Sequence, residues 1–202
     1  MKIAVLGASG HAGSEIVKEV AARGHEVVAI ARHPQAIPQG KNITASAGDA
    51  SDPVQLSGLI AGSDAVISAL HHTIPAETLL SALRSAGVGR ILVTGGAASL
   101  TGPDGKRLID GPDFPEDWKS AALAGIAFLD ALKANDEIDW TFFSPAMIIF
   151  EGERLGHYRK GGDELVLDAS GESKISFADY AIAMVDELEA HNHSRARFTA
   201  AY

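Results

Sequence analysis

A doubly wound, mainly parallel α/β sheet is predicted by three observations on this 202-residue chain. Short, nearly continuous apolar runs alternate along it with stretches whose apolar residues fall at helical spacing. The first run ends in a glycine turn that opens directly onto a helix. No cysteine is present, so a disulfide-stapled fold is excluded, together with thiol catalysis and Cys-ligated metal. Strands that alternate with helices pair in parallel, and right-handed crossovers fix their order.

The first element is Met1-Lys2-Ile3-Ala4-Val5-Leu6, an apolar run. Gly7-Ala8-Ser9-Gly10-His11-Ala12-Gly13 follows it, and an amphipathic helix then runs from Ser14 to Arg23. Gly7 allows the sharp exit from the strand. Gly10 lets the backbone approach a pyrophosphate, and Gly13 lets the helix pack close to the sheet. Free N–H groups and the positive end of the helix dipole favour a bound phosphate. A glycine pattern alone is weak, but the strand before it and the helix after it supply the context such a motif needs. The stretch reads as a dinucleotide-binding loop.

Bulk properties narrow the class of protein. Apolar residues make up 46% and charged residues 21%, ordinary globular usage that supports one domain with a substantial core. A net charge of −9 argues against nucleic acid or an anionic membrane as partner. Met1 leads straight into the first strand, so no signal peptide is expected. No apolar stretch approaches the roughly 20 residues of a membrane helix. A soluble, cytoplasmic protein acting on a small molecule is expected.

The second strand is Glu26-Val27-Val28-Ala29-Ile30-Ala31, closed by Arg32-His33-Pro34. Relatives of this fold that bind NAD place an acidic residue here, on the ribose 2′-hydroxyl. Arg32 instead suits a 2′-phosphate, so NADP(H) is preferred over NAD(H); the plain alternative is a solvated turn arginine. Ile43-Thr44-Ala45-Ser46-Ala47 is a third strand, ending in Gly48-Asp49. Asp49 reads equally as an adenine contact and as a turn former. Asp52-Pro53 starts a helix, with Asp as cap and Pro in the first turn.

Asp64 to Leu70 is the fourth strand, with His71-His72-Thr73 at its carboxyl end. Adjacent histidines do not share a face, so a loop His near the cofactor is expected rather than a chelating pair. A helix from Pro75 to about Gly87 presents Leu79, Leu80 and Leu83 to the core. Arg90-Ile91-Leu92-Val93-Thr94 is strand five, ended by Gly95-Gly96-Ala97-Ala98-Ser99. A polar loop over 100–117 precedes a helix from Trp118 to about Asn135, with Trp118, Ala122, Ile126, Leu129 and Leu132 on one stripe. Ile138 to Phe143 is strand six, leading into Ser144-Pro145-Ala146. A small appended region is expected over about 148–202, after a core of about 1–147. It includes Leu165-Val166-Leu167, a helix from Ser176 to about Ala190 and a last strand over Arg197-Phe198-Thr199-Ala200. Together these elements make a single Rossmann domain.

Taken as a whole, the chain resembles the atypical (extended-type) short-chain dehydrogenase/reductase superfamily, in particular its NmrA-like and NAD(P)H-flavin reductase-like branch. The resemblance rests on the Gly7–Gly13 loop, Arg32, Gly48-Asp49 and Val93-Thr94-Gly95-Gly96. It extends through Asp139-Trp140-Thr141-Phe142-Phe143-Ser144-Pro145-Ala146 to Ile175-Ser176-Phe177-Ala178-Asp179-Tyr180-Ala181. It implies an NADP(H) site made by Gly7, Ser9, Gly10, His11, Ala12, Gly13, Arg32 and Asp49. It also implies a nicotinamide near Ala69, Leu70, Ser99 and the Ser144-Pro145-Ala146 turn. The chain departs in one respect from classical members, which use a Tyr with a Lys four positions on as general acid or base. Tyr158 and Tyr180 are followed four positions on by Gly162 and Met184, and Tyr202 ends the chain.

Without that dyad, a hydride acceptor that takes its proton from solvent is the chemistry expected, since the cofactor carries the hard step. The resemblance thus suggests an NADPH-dependent reductase of a flavin (FMN or FAD as substrate), a quinone or a similar planar acceptor, with Ser99 as hydrogen-bond donor. His72, Lys119 and Tyr158 are alternative donors. A second reading is a non-catalytic NADP-sensing regulator, with an apolar face drawn from Ile148, Ile149, Phe150, Val166 and Leu167. These residues serve equally as core. A sugar epimerase or dehydratase fits less well, because the roughly 60 residues after strand six barely make a substrate domain. A homodimer is compatible with the helix stripes.

Overall fold

A computed structural model of the chain describes all of Met1–Tyr202. Six parallel strands carry the nucleotide-binding topology: β1 (Lys2–Leu6), β2 (Glu26–Ala31), β3 (Ile43–Ala47), β4 (Ala65–Ser68), β5 (Arg90–Thr94) and β6 (Asp139–Ser144). Four of these strands are largely buried apolar runs, as a sheet covered on both faces requires. The helices between them are α1 (His11–Ala22), α2 (Pro53–Ile60), α3 (Ala76–Ala86) and α4 (Glu116–Lys133). Asp52 caps α2 through the amides of Val54 and Gln55, both at 3.0 Å. Gly87 ends α3 in the left-handed conformation that glycine adopts without strain.

Two short strands, β7 (Ile148–Phe150) and β9 (Lys174–Ser176), pair with each other outside the main sheet. Between them in sequence lies β8 (Arg159–Gly161). The chain then forms α5 (Phe177–Ala190) and β10 (Ala196–Ala201). The main sheet runs β3-β2-β1-β4-β5-β6-β10-β8, with β8 antiparallel at the edge. The order reverses between β1 and β4, and that switch point opens a crevice at the strands' carboxyl ends.

The expected appended region over 148–202 does not stand apart. β10 pairs with β6 in the central sheet, and Phe198, Ala200 and Ala201 are fully buried there. α5 lies against α1 on the same face. A stack of rings explains the attachment: Phe143 lies between Tyr180 at 4.0 Å and Phe198 at 4.2 Å, all three nearly parallel. Within this region β7, β9 and the segment between them, apart from β8, lie outside the main sheet. Leu165-Val166-Leu167 is half-buried loop rather than strand, and Val166 packs on the core formed by α1 and α5.

A second core, on the opposite face, joins α2, α3 and α4 through Leu56, Leu79, Leu83, Leu129 and Leu132. Trp118 departs from the stripe expected of it. It is 63% exposed at the first turn of α4, because the buried side of that helix starts further along, at Gly125.

The crossing from β7 to α5 is held by one carboxylate. Asp179 accepts hydrogen bonds from the Leu155 and Gly156 amides at 3.0 and 2.8 Å, and the Tyr202 hydroxyl donates to it as well. Burial pushes this carboxyl up. The Tyr202 hydroxyl, the two amides and Ser176 outweigh that effect and hold it below the usual carboxylate range. Its contribution is therefore present above the unfolded pKa and lost as pH falls through the lowered folded value. Asp179→Asn is expected to destabilise the fold by about 1–3 kcal/mol at neutral pH. Urea melts across pH should show the difference from wild type shrinking below pH ~4.

Candidate functional site

The loop after β1 takes its shape from two glycines. Gly7 has φ of +75°, and its N–H and that of Ala8 both donate to the Ile30 carbonyl, at 3.0 and 3.1 Å. A Cβ on Gly13 would stand 2.1 Å from the Gly7 carbonyl oxygen, so only glycine lets α1 start this close to β1. Gly10 is the N-cap residue of α1 and offers no side-chain cap. The first-turn amides of His11 and Ala12 therefore remain available, and Gly10, His11 and Ala12 all line the adjoining cavity. The helix places no acidic residue of its own in that first turn; the carboxylate of Glu151 stands beside it, 2.8 Å from the His11 Nδ1, with both side chains largely exposed. The loop fits the pyrophosphate of a dinucleotide.

The cavity is large, about 820 Å³. Its wall continues from the glycine loop past Ala69, Leu70 and His72 to the residues that follow β5, Gly95 to Ser99. Pro145, Ala146 and Met147 close one side, and Leu108, Pro112, Phe114 and Trp118 close the other. Of the expected residues, Gly10, His11, Ala12, Ala69, Leu70, Ser99 and Pro145 meet here. Gly7 and Gly13 lie just behind the wall as supports. Ser144 does not reach the cavity: it is fully buried at the end of β6, and its hydroxyl has no partner.

Arg32 and Asp49 lie outside the cavity, at the carboxyl ends of β2 and β3, with Ser9 exposed in the glycine loop. Asp49 makes a turn, accepting from the Ser51 amide at 2.9 Å and the Ser51 hydroxyl at 2.8 Å. Those two bonds hold its carboxyl below the usual range, and Arg32 adds a smaller attraction. The side chain of Arg32 is exposed.

Ser99 has a partner that sequence reasoning missed. Arg197, on β10, donates from Nη1 to the Ser99 Oγ at 2.8 Å. The same guanidinium donates from Nε to Asp163 at 2.7 Å, and its side chain is only 9% exposed. Because Arg197 uses the Ser99 oxygen as acceptor, the hydroxyl proton is left to point elsewhere. Nothing in the sequence signals this pairing, since 98 positions separate the two residues. Asp163 also receives the Thr101 amide on its carbonyl at 2.9 Å, which ties the loop over 100–117 to the strand-edge segment.

The alternative donors separate clearly. Lys119 pairs with Glu116 at 2.5 Å on the surface of α4, and the Tyr158 phenol donates to Asp186 away from the cavity. Burial, then the carboxylate of Asp186, push the Tyr158 phenol well up, so it stays protonated. His72 does line the cavity, packed against Phe128 and Phe142, and its Nε2 has no partner. Burial lowers its pKa against the opposing pull of the Thr94 carbonyl, so it is neutral at physiological pH. Tyr180 also borders the cavity, but its hydroxyl donates to the Phe143 carbonyl at 2.9 Å.

Comparison with known proteins agrees with this geometry. Residues 7–190 match the family described as NAD(P)H-binding, and the chain belongs to that family. It is an NAD(P)H-binding protein with the Rossmann-like fold of oxidoreductases. YwnB of Bacillus subtilis is 40% identical over 208 residues, covering 98% of this chain and 97% of its own length. A structure from Bacteroides thetaiotaomicron named a "putative epimerase" is 40% identical, with a TM-score of 0.92 over 100% of this chain and 96% of that one. A structure from Streptococcus pneumoniae named a "putative NADH-flavin reductase" is 37% identical, with a TM-score of 0.84 over 100% and 99% of the two chains. No helix of the chain is long and apolar enough to cross a membrane.

The two loop glycines make separable predictions. A Cβ on Gly10 meets only the Gly7 oxygen at 3.4 Å, and φ of −80° suits any residue. Gly10→Ala should therefore keep wild-type stability in urea while its methyl group weakens NADPH binding by at least about tenfold. Gly13→Ala should lose about 3 kcal/mol of stability, because the backbone itself must move. Fluorescence titration beside denaturant melts distinguishes the two outcomes.

Proposed function

We propose that this protein is an NADPH-dependent reductase of a planar acceptor, a flavin or a quinone. One observation carries the reading: an apolar cavity of about 820 Å³ continues directly from the pyrophosphate loop and has the Arg197-held Ser99 on its wall. NADPH, when bound, supplies a hydride, that is two electrons and one proton, and the acceptor's second proton comes from solvent. The residues that hold it are the Gly10, His11 and Ala12 backbone at the pyrophosphate and Arg32 at the 2′-phosphate, with Ala69, Leu70 and Pro145 flanking the nicotinamide. Ser99 then presents its hydroxyl proton to a carbonyl or ring-nitrogen atom of the acceptor. Arg197 is a positioning residue behind it. Its charge favours negative charge that develops on the acceptor side of that hydroxyl.

The name of the pneumococcal relative supports a flavin as one member of the acceptor class. The sensor reading has less behind it. Of the five residues that would form its apolar face, only Ile148 is exposed, while Ile149, Phe150, Val166 and Leu167 are part-buried.

Titration with NADPH and NADH, followed by the absorbance of NADPH as a quinone or flavin is added, tests the proposal. Tight binding with multiple turnover is expected, and tight binding without turnover on any planar acceptor overturns the reductase reading. Arg32→Ala is expected to weaken NADPH by about 10- to 100-fold and NADH little, the effect of one charged hydrogen bond. Ser99→Ala is expected to lower kcat about tenfold with NADPH affinity kept.

A further inference from the structure

We infer that the acceptor site selects an uncharged planar ring, a quinone or a flavin without its phosphate, and disfavours phosphorylated flavins. This rests on the reductase reading and narrows its substrate class by charge. The outer wall of the cavity is made by Leu108, Pro112, Phe114, Pro115 and Trp118, an apolar and aromatic surface suited to stacking on a ring. Trp118 is 63% exposed, so a large part of its indole has no protein cover.

The charges around that wall are arranged against an anion. Asp104 and Asp113 line the cavity. The one arginine in the lining, Arg107, donates along one edge from Nε and Nη2 to the two oxygens of Asp110, at 2.8 and 3.1 Å, so a carboxylate already partners its charge. The N-terminus of α4 reaches the cavity through Pro115 and Trp118, and a bare helix end there would attract a phosphate. Its first turn instead carries Glu116 and Asp117. The nearest lysine on that helix, Lys119, is engaged by Glu116 at 2.5 Å.

The two helix ends at this cavity thus differ in kind. α1 begins without any acidic residue in its first turn, and α4 begins with two. Over residues 100–119 five carboxylates (Asp104, Asp110, Asp113, Glu116, Asp117) face three cations (Lys106, Arg107, Lys119). A dinucleotide's phosphates are received at one end of the cavity, and a second phosphate is repelled at the other.

The test compares riboflavin with FMN, which share one ring and differ by the phosphate. Each is titrated into the full chain saturated with NADP⁺, following quenching of flavin fluorescence, and a neutral quinone such as menadione is titrated by quenching of tryptophan fluorescence. Riboflavin is expected to bind at least tenfold more tightly than FMN at low ionic strength. That gap is expected to narrow at 1 M salt, where the Debye length is only about 3 Å. The variant E116Q/D117N should narrow it at low salt and leave riboflavin affinity unchanged. FMN binding as tightly as riboflavin overturns the inference. So does a gap indifferent to both salt and the variant, or failure of riboflavin and the quinone alike to bind. Binding in the expected order without NADPH oxidation leaves the charge selection standing and overturns the reductase reading alone.

Discussion

The close approach of α1 to β1 is the constraint on which the site depends. With 2.1 Å between a Cβ on Gly13 and the Gly7 oxygen, the helix can start where it does only because that position has no side chain. The start of α1 in turn decides where its uncapped amides open, and they open at the switch point between β1 and β4. A helix displaced outward by one methyl group would carry those amides away from the crevice. The anion-binding capacity of an otherwise acidic chain is thus a consequence of local packing, not of overall charge.

The far half of the site depends on the C-terminus. β10 joins the sheet beside β6 and brings Arg197 beneath the loop that follows β5, where it holds Ser99 and Asp163. Asp163 adjoins the pair of backbone bonds that dock the 100–117 loop, Thr101 to Asp163 and Leu165 to Thr101, both 2.9 Å. One buried guanidinium therefore couples the candidate donor to the anchor of the cavity's outer wall. Its burial suits arginine, whose planar fork serves several acceptors at once and stays charged. The Phe143–Tyr180–Phe198 stack supports the same corner from below, which is why the segment after strand six belongs to the site and not to an appendage.

The outer wall differs from the inner one in having no open backbone turn like the glycine loop. Near the glycine loop the backbone of Gly10 and Ala12 is open to the cavity, which suits a ligand that must approach the chain closely, with Phe177 stacked on His11 beside it. Near Trp118 the lining is rings and prolines, which suits a ligand recognised by its flat face. The site is divided between two kinds of recognition, and the hydroxyl of Ser99 lies on the stretch that joins them.

Much of this was readable in the chain itself. The strands at 26–31, 43–47 and 90–94, the Asp52 cap and the glycine loop follow from local patterns whose physics acts over a few residues. The nucleotide loop was evident because strand, turn and helix are contiguous in sequence. The tertiary structure alone decided the rest. Trp118 fits a helical stripe but faces the cavity, because periodicity gives a residue's side of the helix and not what that side meets. Ser144 follows an expected motif yet is sealed in the core, because β6 is covered on both faces and Ser144 still lies within that cover. Arg197 meets Ser99 across 98 positions, and no local rule specifies which distant strand will pair with the sheet edge. The sequence by itself determined the strand, glycine turn and helix whose open amides fit a dinucleotide's phosphates; only the folded chain decided the rest of the cavity, because its wall is assembled from segments brought together by long-range packing.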